Sequence, residues 1–228
     1  MAFRTPFSKG LIFAAAWYFL PAWLFIPVAA YLYFVPFFQS SKFLAVFIGI
    51  MGIYVFTPDP IGYAVIGGIL FGWLIAIREL LFIDRRSAYE VLIFAILFFH
   101  LRIFYHAHTI IGITPFFAAF ILAVLIAWMA KGFLDFFRDT DVNGRGPLSV
   151  AIGVGLLCFF SWQILMISFV LPLDFVYQSL LAFLCIVGML DFLSTYLFGG
   201  ATREKIFFTA TVVFCGLVIL LTSAPLGL

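Results

Sequence analysis

Charge is what this chain has least of. Asp, Glu, Lys and Arg make up 10% of its 228 residues, where a soluble domain carries about a quarter. Hydrophobic residues fill 66%, which leaves too little polar surface to cover a water-facing exterior. A soluble globular fold is therefore excluded. So is disorder, which requires low hydrophobicity and high charge. Cysteine is scarce, at three, and that excludes a disulfide framework. Cys158, Cys185 and Cys215 each stand alone in an apolar run without a CxxC partner, and they read as small buried hydrophobes. The 12 Lys and Arg nearly balance the 10 Asp and Glu. No concentrated basic face exists for nucleic acid.

What the sequence does hold is long apolar runs between three charged clusters. The first cluster is Arg78, Glu79, Asp84, Arg85, Arg86 and Glu90. The second is Lys131, Asp135, Arg138, Asp139, Asp141 and Arg145, and the third is Arg203, Glu204 and Lys205. A spanning helix needs roughly 20 apolar residues. In lipid only helices or closed barrels satisfy every backbone group, and runs without two-residue alternation mean helices. The expected fold is all-α: a polytopic integral membrane bundle of about eight transmembrane helices, within a range of seven to nine, forming one transmembrane domain over 1–228 with no soluble domain. The expected spans are 11–37, 43–57, 61–77, 88–108, 110–130, 147–171, 174–198 and 206–223, separated by turn signals such as Asp59-Pro60, Pro172 and Gly199-Gly200. The first span carries Pro21, Pro27 and Pro36, so kinks are expected in it. The second is short enough to be tilted or re-entrant.

Two spans separate each neighbouring pair of clusters, so loops 78–90, 131–146 and 199–205 face one side. They hold eight of the twelve Lys and Arg residues. The positive-inside rule makes that side cytoplasmic and points to a cell (inner, cytoplasmic) membrane. The segment 222–228 then lies outside. Eight spans place the N-terminus outside as well, in conflict with Arg4 and Lys9. Those two residues precede an apolar run that continues to Phe38 with no small-x-small cleavage region, so it is read as a retained span.

Polar residues inside the spans are the candidates for function, because a charge in the bilayer costs several kcal/mol. At about 1.5 Å per residue, His100 and Arg102 on the fourth span lie roughly 18 and 21 Å above the cytoplasmic edge, Gln163 roughly 24 Å and Asp191 roughly 12 Å. Glu90, His100 and His108 share one face of that span, and Arg102 and His106 lie on another. A helix polar on two faces suits a central position, so His100, Arg102, Gln163, Asp191 and Glu90 are read as a polar track. The bland alternative has Arg102 snorkelling outward to pair with Asp174. His106 and His108 point about 200° apart and cannot share one metal ion. No second helix supplies a facing histidine for haem.

The second cluster offers a different chemistry. Asp139, Asp141, Asn143 and Gly144 match the first half of an EF-hand loop, whose alternate oxygens turn toward one cation. The second half fails, because Val150 stands where the bidentate Glu belongs. With Asp135, the same carboxylates suit magnesium on a diphosphate. An Asx/Gly turn with Pro147 opening the next helix is the structural alternative. No cofactor is required beyond such a magnesium or calcium ion. No serine sits in a G-x-S-x-G context. Ala64, Gly68 and Gly72 form a small-xxx-small stripe, read first as packing within the chain and second as a homodimer seam.

Three functions follow from this reading. The leading one is a permease or transport-complex subunit with the track around the fourth span. The second is a membrane enzyme acting on a lipid-linked or diphosphate substrate at the 131–146 loop. The third is a structural or assembly subunit. The expected partners are the lipid bilayer and either a second copy or a larger membrane complex.

Overall fold

The computed structural model describes residues 4–35, 40–56, 60–79, 84–111, 114–138, 147–198 and 202–223. Among them there is no strand, and nine α-helices follow in order. They are α1 (Arg4–Phe19), α2 (Ala22–Phe34), α3 (Leu44–Phe56), α4 (Pro60–Arg78), α5 (Arg85–Ile111), α6 (Pro115–Arg138), α7 (Pro147–Val170), α8 (Phe175–Leu197) and α9 (Arg203–Ser223). A 3-10 turn, Ser40–Phe43, precedes α3. Six of the helices, α4 to α9, are long and apolar enough to cross a membrane. The architecture is that of a helical membrane protein.

The expected first span, 11–37, is two helices rather than one kinked helix. Pro21 has no N–H to give to the turn before it, and its ring disfavours helical geometry at Leu20. The chain stops at Phe19 and restarts at Ala22, with Pro21 in extended geometry as the N-cap. Pro27 is accommodated inside α2, and Pro36 lies outside the described residues. The short second span is α3, whose 13 residues reach about 20 Å. As expected, Pro147 is the first residue of α7.

The contacts of the chain group into two compact units, residues 1–96 and 97–228, with the boundary inside α5. In the first unit, α1 packs along α4, α2 on α1, and α3 on α4. The α1–α4 approach is close because glycines meet glycines. A Cβ on Gly10 would lie 2.6 Å from the Gly68 carbonyl oxygen, and one on Gly68 would lie 2.6 Å from the Ala14 Cβ. The small-residue stripe of α4 is thus occupied by α1, as the packing reading expected. Phenylalanine builds the rest of this core: Phe13 stacks on Phe71 at 4.2 Å, and Tyr33 on Phe47 at 4.2 Å.

In the second unit, Leu97, Leu101 and Tyr105 of α5 pack with Ala119, Ala123 and Ile126 of α6, Leu165 of α7 and Ala182 and Ile186 of α8. The four-residue spacing within each helix puts these side chains on one stripe. Successive helices α6, α7, α8 and α9 are neighbours. Helix α9 buries none of its residues. It rests on α8 through Val213 against Gly188 and Gly216 against Leu184. One consequence departs from the sequence reading: Cys215 is exposed on α9, whereas Cys158 and Cys185 are half-buried.

Candidate functional site

Polar side chains in the described residues form one cluster and several separate links. The cluster lies in the first unit, where the beginning of α1 meets the ends of α2 and α4. Lys9 Nζ donates to Glu79 Oε1 at 3.2 Å and to the Val35 carbonyl oxygen at 2.9 Å. Both side chains are largely covered, at 14% and 22% exposure. Beside them Arg78, 1% exposed, donates to the Tyr33 carbonyl oxygen and lies 5.3 Å from the centre of the Tyr33 ring. The carbonyl it caps belongs to the last turn of α2, which has no following N–H of its own. Arg85 Nε donates to the Ile77 carbonyl oxygen at 3.2 Å, the same service for α4. Partial burial lowers the Arg85 guanidinium from its ordinary value, and an arginine keeps its charge nonetheless. From the sequence, Arg78, Glu79 and Arg85 belong to a charged cluster on the cytoplasmic side, and Lys9 is an N-terminal charge with no assigned partner. The one signal of the cluster was Arg78-Glu79 closing an apolar run.

The links lie in the second unit, each between one pair of helices. Tyr105 and Ser168 share a buried hydrogen bond, and Ser168 also donates to the Ile164 carbonyl oxygen at 2.7 Å. This joins α5 to α7. Asp191 is half-buried, and Thr209 Oγ1 donates to its Oδ2 at 2.8 Å. This joins α8 to α9. At the other end of the same pair, the Tyr177 hydroxyl donates to the Ser223 carbonyl oxygen at 3.2 Å.

The residues expected to form a track differ in exposure. His100 is buried at 8% exposure. Arg102 and Gln163 are both exposed, and neither is hydrogen-bonded or ion-paired to the other, to Asp174 or to Asp191 among the described residues. The track reading expects an inward Arg102 held by Gln163 or by a water-filled cavity, and Arg102 is exposed. The reason is rotational: the buried face of α5 runs through Leu97, Leu101 and Tyr105, and Arg102 is about 100° off Leu101. Glu90 is half-buried in the first unit. His106 is exposed, its ring 5.3 Å from that of Phe175. The His108 side chain lies outside the described residues, as do Asp139, Asp141 and Asn143 of the acidic loop. Among the described residues no group of three or more His, Cys, Asp or Glu is placed to hold a metal ion.

Two cavities accompany these sites. One, of about 590 Å³, lies along α1 and α4 between Pro6, Leu11, Val65 and Trp73. The other, of about 730 Å³, lies along α7, α8 and α9, where Thr209 is the polar residue among Leu156, Phe160, Phe192 and Phe214. The second is also lined by Cys185, and neither cavity gathers three His, Cys, Asp or Glu side chains among the described residues. No family model, curated protein or solved structure matches the chain.

Proposed function

We propose that this chain is a helical membrane subunit whose work is assembly, the third of the functions read from the sequence. One observation supports it above the others. The polar groups of the described residues link helices in pairs: Lys9 with Glu79, Arg78 with the end of α2, Tyr105 with Ser168, and Asp191 with Thr209. In lipid such links hold helices together. A permease needs its polar groups on a common path, and Arg102 and Gln163 are exposed with no hydrogen bond between them. The calcium, magnesium and diphosphate readings rest on Asp139, Asp141 and Asn143, outside the described residues.

The same geometry supports a topology. Lys9 meets Glu79, so the start of α1 and the first charged cluster share one side of the bilayer. With that cluster cytoplasmic by the positive-inside rule, Arg4 and Lys9 are cytoplasmic too. The conflict raised by a single first span disappears once α1 and α2 form a hairpin. The chain then runs from the cytoplasmic side at the start of α1 to the outer side at the end of α9, in a cell membrane.

Proteoliposomes separate the assembly reading from the permease reading. The purified chain should leave an imposed pH gradient and the osmotic shrinkage rate of small solutes at the level of protein-free vesicles. Gradient dissipation that is lost in an Asp191→Asn variant would overturn the assembly role in favour of a permease.

A further inference from the structure

We propose that the groove along α7, α8 and α9 binds a lipophilic ammonium ion, held by Thr209 and by the charge of the Asp191 carboxylate bonded to it. Helices α7 and α9 both pack on α8. Gly153 of α7 meets Leu193, and Gly188 meets Val213 of α9. Over α8 the two helices leave a cavity of about 730 Å³. Leu156, Phe160, Phe192 and Phe214 line it and are exposed, so it opens toward lipid. Among the described residues that line it, none carries a charge.

Asp191 supplies the field. It lies six residues before Leu197, the end of its span, and Thr209 lies six residues after Arg203, the start of its own. Both are thus about 9 Å inside the ends of their helices. An aspartate side chain is too short to snorkel that far, and a carboxylate at that depth is costly without a partner. Its partner is Thr209, whose Oγ1 donates to Asp191 Oδ2 at 2.8 Å. No Lys, Arg or His among the described residues pairs with the carboxylate. A hydroxyl hydrogen bond leaves the net negative charge in place.

The same hydrogen bond fixes what the groove offers a ligand. Thr209 has one hydroxyl proton, and that proton is committed to Asp191. What Thr209 can present to the cavity it lines is therefore lone pairs alone. Donation to a carboxylate makes the hydroxyl a stronger acceptor. A ligand nitrogen that donates to Thr209 stands within about 6 Å of the carboxylate, two hydrogen bonds in series. In a site of low dielectric that distance gives a strong attraction for a cation. The rings of Phe160, Phe192 and Phe214 add to it, because aromatic faces attract a desolvated cation. A lipid acyl chain fills the apolar length and answers neither the lone pairs nor the charge. A fatty acid anion is repelled. The backbone N–H groups of a partner helix are already used inside that helix. An ammonium head on an apolar body satisfies the hydroxyl, the carboxylate and the rings together. The site stands apart from the assembly role: binding at equilibrium neither requires assembly nor implies transport.

Equilibrium binding to the full chain in nanodiscs of zwitterionic lipid tests the site. The probe is tritiated dodecylamine, with dodecanol and dodecanoate as neutral and anionic competitors of equal length. Protein-free nanodiscs give the background from partition into lipid. Dodecylamine should bind saturably and roughly tenfold or more tightly than dodecanol, and dodecanoate should not displace it. Asp191→Asn keeps an acceptor for Thr209, so the link between α8 and α9 stays, and it should bring dodecylamine down to the affinity of dodecanol. Thr209→Val should weaken dodecylamine roughly tenfold. Phe160→Leu should weaken dodecylamine and leave dodecanol unchanged. Binding no greater than in protein-free nanodiscs, equal affinity for the amine and the alcohol, or an amine preference that survives Asp191→Asn each overturns the proposal.

Discussion

Lys9 and Glu79 stand 70 residues apart in the chain and form an ion pair at 3.2 Å. The contact ties the second turn of α1 to the end of α4. It aligns the two helices whose glycines interlock lower down, and it sets which end of α1 faces the first charged cluster.

The pair should be measurable as a coupling. Exposed ion pairs contribute about 0–1 kcal/mol and removal of one partner from a fully buried pair costs about 3–5. Both side chains here are mostly covered, so a double-mutant cycle of Lys9→Ala and Glu79→Ala should give about 1–2 kcal/mol. Unfolding in mixed micelles supplies the numbers. Additive single variants would mean that the pair is not formed in the folded protein.

Accessibility labelling checks the hairpin of α1 and α2. Ser8→Cys, Ser87→Cys and Thr202→Cys should react with an impermeant reagent from one side, and Ser223→Cys from the other. Labelling of Ser8→Cys from the side of Ser223→Cys would restore a single first span.

Two glycines should respond oppositely to the same change. Gly68→Ala places a methyl group 2.6 Å from the Ala14 Cβ and 2.7 Å from the Gly10 carbonyl oxygen. Overpacking of that kind costs about 1–3 kcal/mol. Gly155→Ala meets open space and removes the helix penalty of glycine, so the isolated monomer should gain about 0.5–1 kcal/mol. Thermal melts of both variants at monomeric dilution compare them directly, and a destabilised Gly155→Ala would show that the face is already filled within the chain.

Arg102 and Asp191, read together from the sequence, should separate by mutation. Arg102→Leu exchanges an exposed guanidinium for a side chain that lipid prefers, so stability should hold or rise. Thr209→Val deletes the donor to Asp191 and should cost about 0.6 kcal/mol, at most about 1.7, with the loss confined to α9. Hydrogen exchange along α9 reads that local effect. A large destabilisation by Arg102→Leu would place the guanidinium inside the fold.

The membrane class, the helical content, the helix starts at Pro60 and Pro147, and the packing role of the α4 glycines were legible in the amino-acid sequence. Each depends on composition or on spacing along one helix, and those quantities are complete in one dimension. The break at Pro21 was legible only as a kink, since a proline inside an apolar run is compatible with either outcome until the flanking helices find partners. Residues across helices were not legible. No pattern along one helix announces that Lys9 meets Glu79 or that Asp191 accepts from Thr209, and the exposure of Arg102 is set in the same way. A helix repeats about every 3.6 residues, so sequence sets the relative angles of its side chains. Which of those angles faces a neighbour is decided by the rotation at which whole helices pack, and that rotation is set by the bulky and the glycine surfaces of both partners together.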